Sequence, residues 1–330
     1  MTTTGEEVKR ETPPPPPAKP RTPRRLGDLV FSSAARTAGS LILIILAAVA
    51  VFLVVEAWPA IDTPAGDLAT KVPFIDDGDT LLSYVGPLVW GTVLAAVIAL
   101  IISTPIAVGV ALFISHYAPR KLAQTFGYVV DLLAAIPSVV YGLWGALWLM
   151  PRLQPFFLWL SDTFPFIPLF DGPVASPPRT ILTAGIVLAV MILPIITAVS
   201  REVFLQTPPL HQEAALALGA TRWEMVRLAV FPFARSGVIS ATMLGLGRAL
   251  GETMAVAMVL SPGFTYSLFI LQAGQHQNIA ANIALKFPES TSLGVNVLIF
   301  TGLVLFVITL IVNMIARWIV SRRAEFSGAN

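Results

Sequence analysis

The residues with the clearest chemical signal are an arginine and a glutamate in the middle of an apolar run, 236–260. Arg248 and Glu252 lie there in the sequence Gly247-Arg248-Ala249-Leu250-Gly251-Glu252-Thr253-Met254. An ionised side chain deep in a bilayer costs on the order of 3 kcal/mol on insertion scales. Residues four apart are neighbours on a helix surface. The spacing predicts that both charges share one helix face.

Two interpretations of this pair stay open on the sequence alone. The two charges could neutralise each other in an intrahelical salt bridge and so tolerate insertion. Alternatively they line a wet path through the membrane, because ionisable residues inside membrane helices commonly mark pathways for ions and substrates. We take the second interpretation as our hypothesis.

The composition predicts the fold that positions these residues. Of 330 residues, 55% are hydrophobic and 12% charged, whereas soluble domains are about 25% charged. Six apolar stretches are long enough to cross about 30 Å of hydrocarbon as helices. They lie at roughly 38–57, 88–115, 123–150, 180–204, 236–260 and 293–320. We therefore predict an all-α, polytopic membrane protein with six transmembrane helices in one domain, 38–320.

Outside that domain, we predict a disordered cytoplasmic tail over 1–37 and a short cytoplasmic tail over 321–330. Residues 1–26 are polar and include the run Pro13–Pro17, a composition that cannot bury a core. Within the spans, Pro105, Pro137 and Pro194 are expected to kink their helices. The chain has no cysteine, and its three histidines are on separate segments. No metal site is predicted.

Lysine and arginine are distributed unevenly over the connections between spans. Sixteen of the 21 basic residues fall in the two tails, the connection between spans 2 and 3, and the connection between spans 4 and 5. The other three connections hold only Lys71, Arg152, Arg179 and Lys286. Cytoplasmic loops carry the excess of positive charge, so both termini and the 4–5 connection are expected in the cytoplasm.

The 4–5 connection is predicted to form a helix-turn-helix. Pro208-Pro209 can open a helix, and Gly219 is placed to end it. Thr221 and Glu224 have the spacing of a capping box, which starts a second helix to about Val230, before Pro232.

Two motifs resemble a known family. Glu213-Ala214-Ala215, followed by Gly219 and Pro232, resembles the EAA loop of ABC-importer permeases, although Ala229 and Phe231 stand where that pattern has Ile and Leu. Within this superfamily the PstC phosphate permeases are similar in two stretches: Gly247-Arg248-Ala249-Leu250-Gly251-Glu252-Thr253-Met254-Ala255-Val256 and Leu133-Ala134-Ala135-Ile136-Pro137-Ser138-Val139-Val140-Tyr141-Gly142-Leu143-Trp144-Gly145.

The resemblance implies a fold, a site and partners. The fold is that of a type I ABC-importer permease in a bacterial cell membrane. Glu213, Ala214, Ala215 and Gly219 would couple the chain to a PstB-like ATPase dimer. A PstA-like second permease would complete the path for inorganic phosphate, delivered by an extracytoplasmic PstS-like binding protein. Arg248 would contact phosphate, and Glu252 would tune that contact.

ATP would be used by the partner, and no cofactor is expected in this chain. No lysine follows a glycine anywhere in the sequence, so a GxxxxGK[ST] phosphate loop is absent. Three alternatives remain: a sulfate or molybdate permease, a proton-coupled transporter using Arg248–Glu252 or Asp131, and a membrane enzyme acting on lipid-linked phosphates. The last would need clustered acids or histidines, which the sequence lacks.

The orientation can be tested by labelling, because the chain has no cysteine of its own. A cysteine at position 222 should react with an impermeant maleimide only after the cells are opened, and one at position 77 should react in intact cells. Labelling of position 222 from outside would contradict the cytoplasmic 4–5 connection.

Overall fold

Residues 26–321, which this computed structural model describes, are nearly all helical, and no β-strand occurs among them. They form thirteen α-helices, three of which continue into π turns. The helices are α1 (Leu26–Asp62), α2 (Ala65–Lys71), α3 (Leu81–Leu112), α4 (Arg120–Ala134), α5 (Ser138–Trp144), α6 (Met150–Thr163), α7 (Ile181–Leu205), α8 (Pro209–Ala217), α9 (Arg222–Met225), α10 (Phe231–Leu250), α11 (Met254–Val259), α12 (Ile279–Lys286) and α13 (Ser292–Ser321).

Five helical stretches of this part of the chain are long and apolar enough to cross a membrane. They are Val30–Asp62, Leu81–Tyr117, Ile181–Leu205, Arg222–Leu250 and Ser292–Ser321. A sixth span results if α4 and the continuous helix Ser138–Thr163 count as one broken span. The all-α membrane fold is thus confirmed. Residues 26–51 form one compact unit and 52–321 another.

The first span begins earlier than the sequence pattern predicted. Residues 26–37, assigned above to a disordered tail, are helical and belong to α1, which also extends past 57 to Asp62. The boundary was wrong because the chain holds no proline between Pro23 and Pro59, so nothing interrupts a helix there. The remainder of the predicted tail, 1–25, and residues 322–330 lie outside the described residues.

The third predicted span, 123–150, is broken rather than kinked. Helix α4 ends at Ala134, and α5 starts after Pro137 with a bend of 91° between the two parts. The residue before a proline is disfavoured in helical conformation, which ends the helix here. The hydroxyl of Tyr141 donates a hydrogen bond of 2.9 Å to the carbonyl of Leu133 across the break. In contrast, α3 and α7 continue through Pro105 and Pro194.

Helix α7 is the centre of the core in residues 52–321. In its most apolar window 67% of the residues are buried, against 17% in α13. Small residues allow α3 to pack closely on α7: Ala95 and Ala99 are buried, and the side chain of Ile98 fills the space beside Gly185. Small residues at contacts between membrane helices let their backbones approach.

The segment between α11 and α12 folds back onto α3. The carbonyl of Gln277 faces Gly91 so closely that a Cβ atom there would overlap it. Next to this contact, the Thr92 hydroxyl accepts a hydrogen bond of 2.9 Å from the backbone N–H of Ile279. This segment is therefore anchored to the bundle at the start of α12.

Two substitutions on α3 test this contact. Gly91→Ala should lower the melting temperature of the purified protein in detergent, because overpacking a close contact costs about 1–3 kcal/mol. Gly109→Ala is the control: it lies on the same helix with open space around it, and alanine favours helix by about 0.5–1 kcal/mol. Equal melting temperatures for the two variants would contradict the close approach of Gln277.

Candidate functional site

Arg248 lies in the last turn of α10, half-buried. Its guanidinium takes part in no hydrogen bond or ion pair with residues 26–321, and it lies within electrostatic range of the Tyr141 hydroxyl. The salt-bridge interpretation of the Arg248–Glu252 pair is therefore wrong for this structure. A charged group held inside a membrane protein without a counter-charge is free to bind an anion.

Arg248 lines a groove between α10 and α13. The groove has a volume of about 600 Å³ and extends along 239–248 of α10 and 313–321 of α13. Its walls are mainly apolar, with Arg248, Asn313 and Arg317 among the polar side chains. The C-terminal end of α13 is on the side predicted to be cytoplasmic. The groove therefore runs from Arg248 toward that side.

Glu252 does not share a helix face with Arg248, which corrects the sequence prediction. Helix α10 ends at Leu250, and Gly251, Glu252 and Thr253 separate it from α11. The predicted span 236–260 is thus interrupted. Glu252 is 7% exposed, and its Oε1 accepts a hydrogen bond of 3.1 Å from the backbone N–H of Ala255. Its carboxylate caps the first turn of α11.

Sequence reasoning missed Asn278, as it missed Asn313 and Arg317 of the groove. The Nδ2 of Asn278 donates a hydrogen bond of 2.8 Å to the carbonyl of Glu252, and its Oδ1 accepts one of 2.7 Å from Ala281 N–H. An asparagine before the apolar residues of α12 is a readable N-cap signal. The contact with Glu252 has no sequence signal, because the two residues are 26 positions apart.

Asp131, the other acid considered as a proton relay, is not in this groove. It is about half exposed on α4 and lies 4.0 Å from Arg201, which also forms an ion pair of 2.6 Å with Glu202. Asp131 therefore belongs to the charged group around Arg201, whereas Arg248 belongs to the groove. The structure does not bring the two residues together as one proton relay.

The 4–5 connection folds as a helix-turn-helix, as predicted. Helix α8 starts at Pro209, and Gly219 follows it with a φ of +85°, a value that favours glycine. Thr221 and Glu224 form the expected capping box. The second helix does not end before Pro232. A π turn, Val226–Val230, joins α9 to α10, and Pro232 directly follows this turn within one continuous helix, Arg222–Leu250.

The surface of this helix-turn-helix is apolar and exposed. Glu213, Ala214 and Gly219 are exposed, and Ala215 is half-buried against the base of α10. Leu218 is 91% exposed, and Leu210 and Trp223 are also exposed. Large apolar side chains grouped on an exposed surface mark protein interaction sites.

The comparisons with known proteins agree with this arrangement. Residues 103–325 match the family of binding-protein-dependent transport system inner membrane components. The phosphate transport system permease protein PstC 2 of Mycobacterium tuberculosis is 47% identical over 89% of this chain and 92% of its own length. PstC of Mesorhizobium japonicum is 36% identical over 98% of this chain and 99% of its own.

Among solved structures, a chain of the inward-facing MetNI methionine ABC transporter superposes with a TM-score of 0.48 at 20% identity, covering 74% of this chain and 96% of that one. The relatives confirm the resemblance found in the sequence motifs. This chain belongs to the binding-protein-dependent transport system inner membrane components, as a permease of the PstC family.

Proposed function

We propose that this chain is the subunit of an ABC importer that moves inorganic phosphate into the cell, and that Arg248 contacts the ion in transit. The observation that carries the proposal is the half-buried guanidinium at the α10–α13 groove, which pairs with no residue of 26–321. The planar donors of a guanidinium match the oxygens of a phosphate. The names of the relatives, phosphate transport permeases, support this choice of ion.

In this proposal the groove leads the ion from Arg248 toward the cytoplasm. It reaches from Arg248 to Arg317, near the end of α13, which is predicted to face the cytoplasm. Phosphate released by the first guanidinium would meet the second on its way out. The open space beside Gly247 would let a helix of a PstA-like permease close the path from the other side.

Energy would come from a PstB-like ATPase dimer bound to the exposed helix-turn-helix. Leu210, Leu218 and Trp223 offer the apolar surface for that contact, and Glu213, Ala214, Ala215 and Gly219 form its centre. A PstS-like protein would deliver phosphate on the outer face. Glu252 tunes the site indirectly in this proposal, because its carboxylate holds the start of α11 next to the turn that carries Arg248.

Arg248→Gln should strongly lower phosphate uptake by vesicles holding the whole importer. A lost charge-assisted hydrogen bond is worth about 1.5–3 kcal/mol, so uptake should fall by about tenfold or more. The protein should still insert and assemble, because Arg248 makes no hydrogen bond or ion pair among residues 26–321.

Arg235→Gln is the matched control, since Arg235 is an exposed arginine of the same helix outside the groove. It should leave uptake close to the wild-type rate. Normal uptake by the Arg248 variant would contradict the path. Competition by unlabelled phosphate, sulfate and molybdate identifies the ion, and only phosphate should compete.

Gly219→Val should uncouple ATP hydrolysis from uptake. A β-branched residue at this positive φ costs about 1–2 kcal/mol and would distort the turn after α8. Gly78→Val is the control, because Gly78 has a φ of +90° and equally open surroundings but lies in an outer connection.

Glu213→Lys should have the same effect as Gly219→Val, since it reverses the charge of an exposed side chain in the middle of α8, at the centre of the proposed contact with the ATPase. Uptake and binding-protein-stimulated hydrolysis are measured together in vesicles. If both loop variants, Gly219→Val and Glu213→Lys, hydrolyse ATP and take up phosphate like the wild type, this loop is not the coupling element.

A further inference from the structure

The non-helical residues Gly251, Glu252 and Thr253, which we call the interruption, are held by a hydrogen bond from Asn278 at the start of α12. Between Leu250 and Met254 the chain is not helical, so the carbonyl of Glu252 points away from the α-helical ladder. The Asn278 amide donates to this carbonyl at 2.8 Å. Asn278 is 1% exposed and Glu252 7% exposed, so the contact is shielded from solvent.

Both ends of the Asn278 side chain are used. Its Nδ2 holds the interruption and its Oδ1 caps α12 at Ala281. An unsatisfied carbonyl in a buried position is costly, so the interruption is stable only while α12 stays in place. Asn278 is the single described side chain that hydrogen-bonds the Glu252 carbonyl.

Helix α12 is itself fastened to α3 and reaches the surface. Ile279 N–H donates to Thr92, and Asn282, one turn along, donates to the Tyr84 hydroxyl at 2.7 Å. At the other end of the helix, Leu285 and Phe287 are exposed, on the side predicted to be extracytoplasmic. Eight residues of helix measure about 12 Å. Because α12 is this short and its N-cap residue is bonded to Glu252, a displacement at Phe287 can be transmitted along the helix to the interruption.

We propose that Asn278 is a positioning residue that ties Glu252, and with it the turn carrying Arg248, to the outer surface through α12. Displacement of α12 at its exposed end would pull on the Glu252 carbonyl and change the presentation of Arg248 to the ion. The link between Asn278 and the interruption stands on geometry alone, and its effect on uptake rests on the function proposed above.

Two serine substitutions separate this role from simple anchoring of α12. In Asn278→Ser the hydroxyl still caps Ala281, since serine is as good an N-cap as asparagine, but it is too short to reach Glu252. Asn282→Ser is the matched control. Asn282 is equally buried at 1% and holds the same helix, but through Tyr84.

The first measurement does not depend on the transported ion. Thr253→Cys places a single thiol in the interruption of this cysteine-free chain, and its rate of maleimide alkylation is followed in the assembled importer. Adding Asn278→Ser should raise the rate about fivefold or more, the factor expected for about 1 kcal/mol of lost stability. Adding Asn282→Ser should change it less than about twofold. Equal rates for the two variants would overturn the proposal.

The second measurement is phosphate uptake by the two serine variants. If Asn278 acts through the Glu252 carbonyl, Asn278→Ser should lower uptake clearly more than Asn282→Ser, because only the first variant frees the interruption. Equal losses of uptake in the two variants would show that Asn278 only anchors α12. Failure of wild-type vesicles to take up phosphate would contradict the proposed function, while the alkylation rates would still decide whether Asn278 holds the interruption.

Discussion

Hydrocarbon offers no hydrogen bonds to a peptide group, so each interruption of a membrane helix has to find partners within the protein. This requirement shapes the chain at both of its broken spans. At the break before α5, the Tyr141 hydroxyl satisfies the Leu133 carbonyl. At the break after α10, the Asn278 amide and the Glu252 carboxylate satisfy the exposed backbone. Both breaks lie close to Arg248, and irregular backbone in membranes is tolerated where it is buried or lines a cavity.

The second constraint is electrostatic. A guanidinium in the middle of a span is expensive unless it has a counter-charge or water, and the structure supplies neither an acid nor a hydrogen-bond acceptor among residues 26–321. The groove beside it provides room for both water and an anion. Small residues between α3 and α7 let these two helices pack closely on the other side of the bundle core.

The features that could be predicted from the sequence were those with a local cause. Apolar length located most of the spans, and proline and glycine located the turn at Gly219. The capping box at Thr221 followed from three-residue spacing alone. The errors at the candidate site came from longer-range causes. No local sequence signal shows that α10 ends at Leu250, because glycine and threonine, the residue types at 251 and 253, also occur inside many membrane helices. The Glu252–Asn278 contact depends on how an outer segment folds back onto α3.

The role proposed for Arg248 has a consequence for where energy enters the transport cycle. No residue of 26–321 pairs with its guanidinium, so in that proposal the arrival of phosphate supplies a counter-charge and lowers the electrostatic energy of the site. Capture is then the favourable half of the cycle, and the half that needs work is the separation of the ion from the arginine. In an importer built this way, the nucleotide is best used to open the groove toward the cytoplasm and weaken that attraction, while loading from outside proceeds on affinity alone.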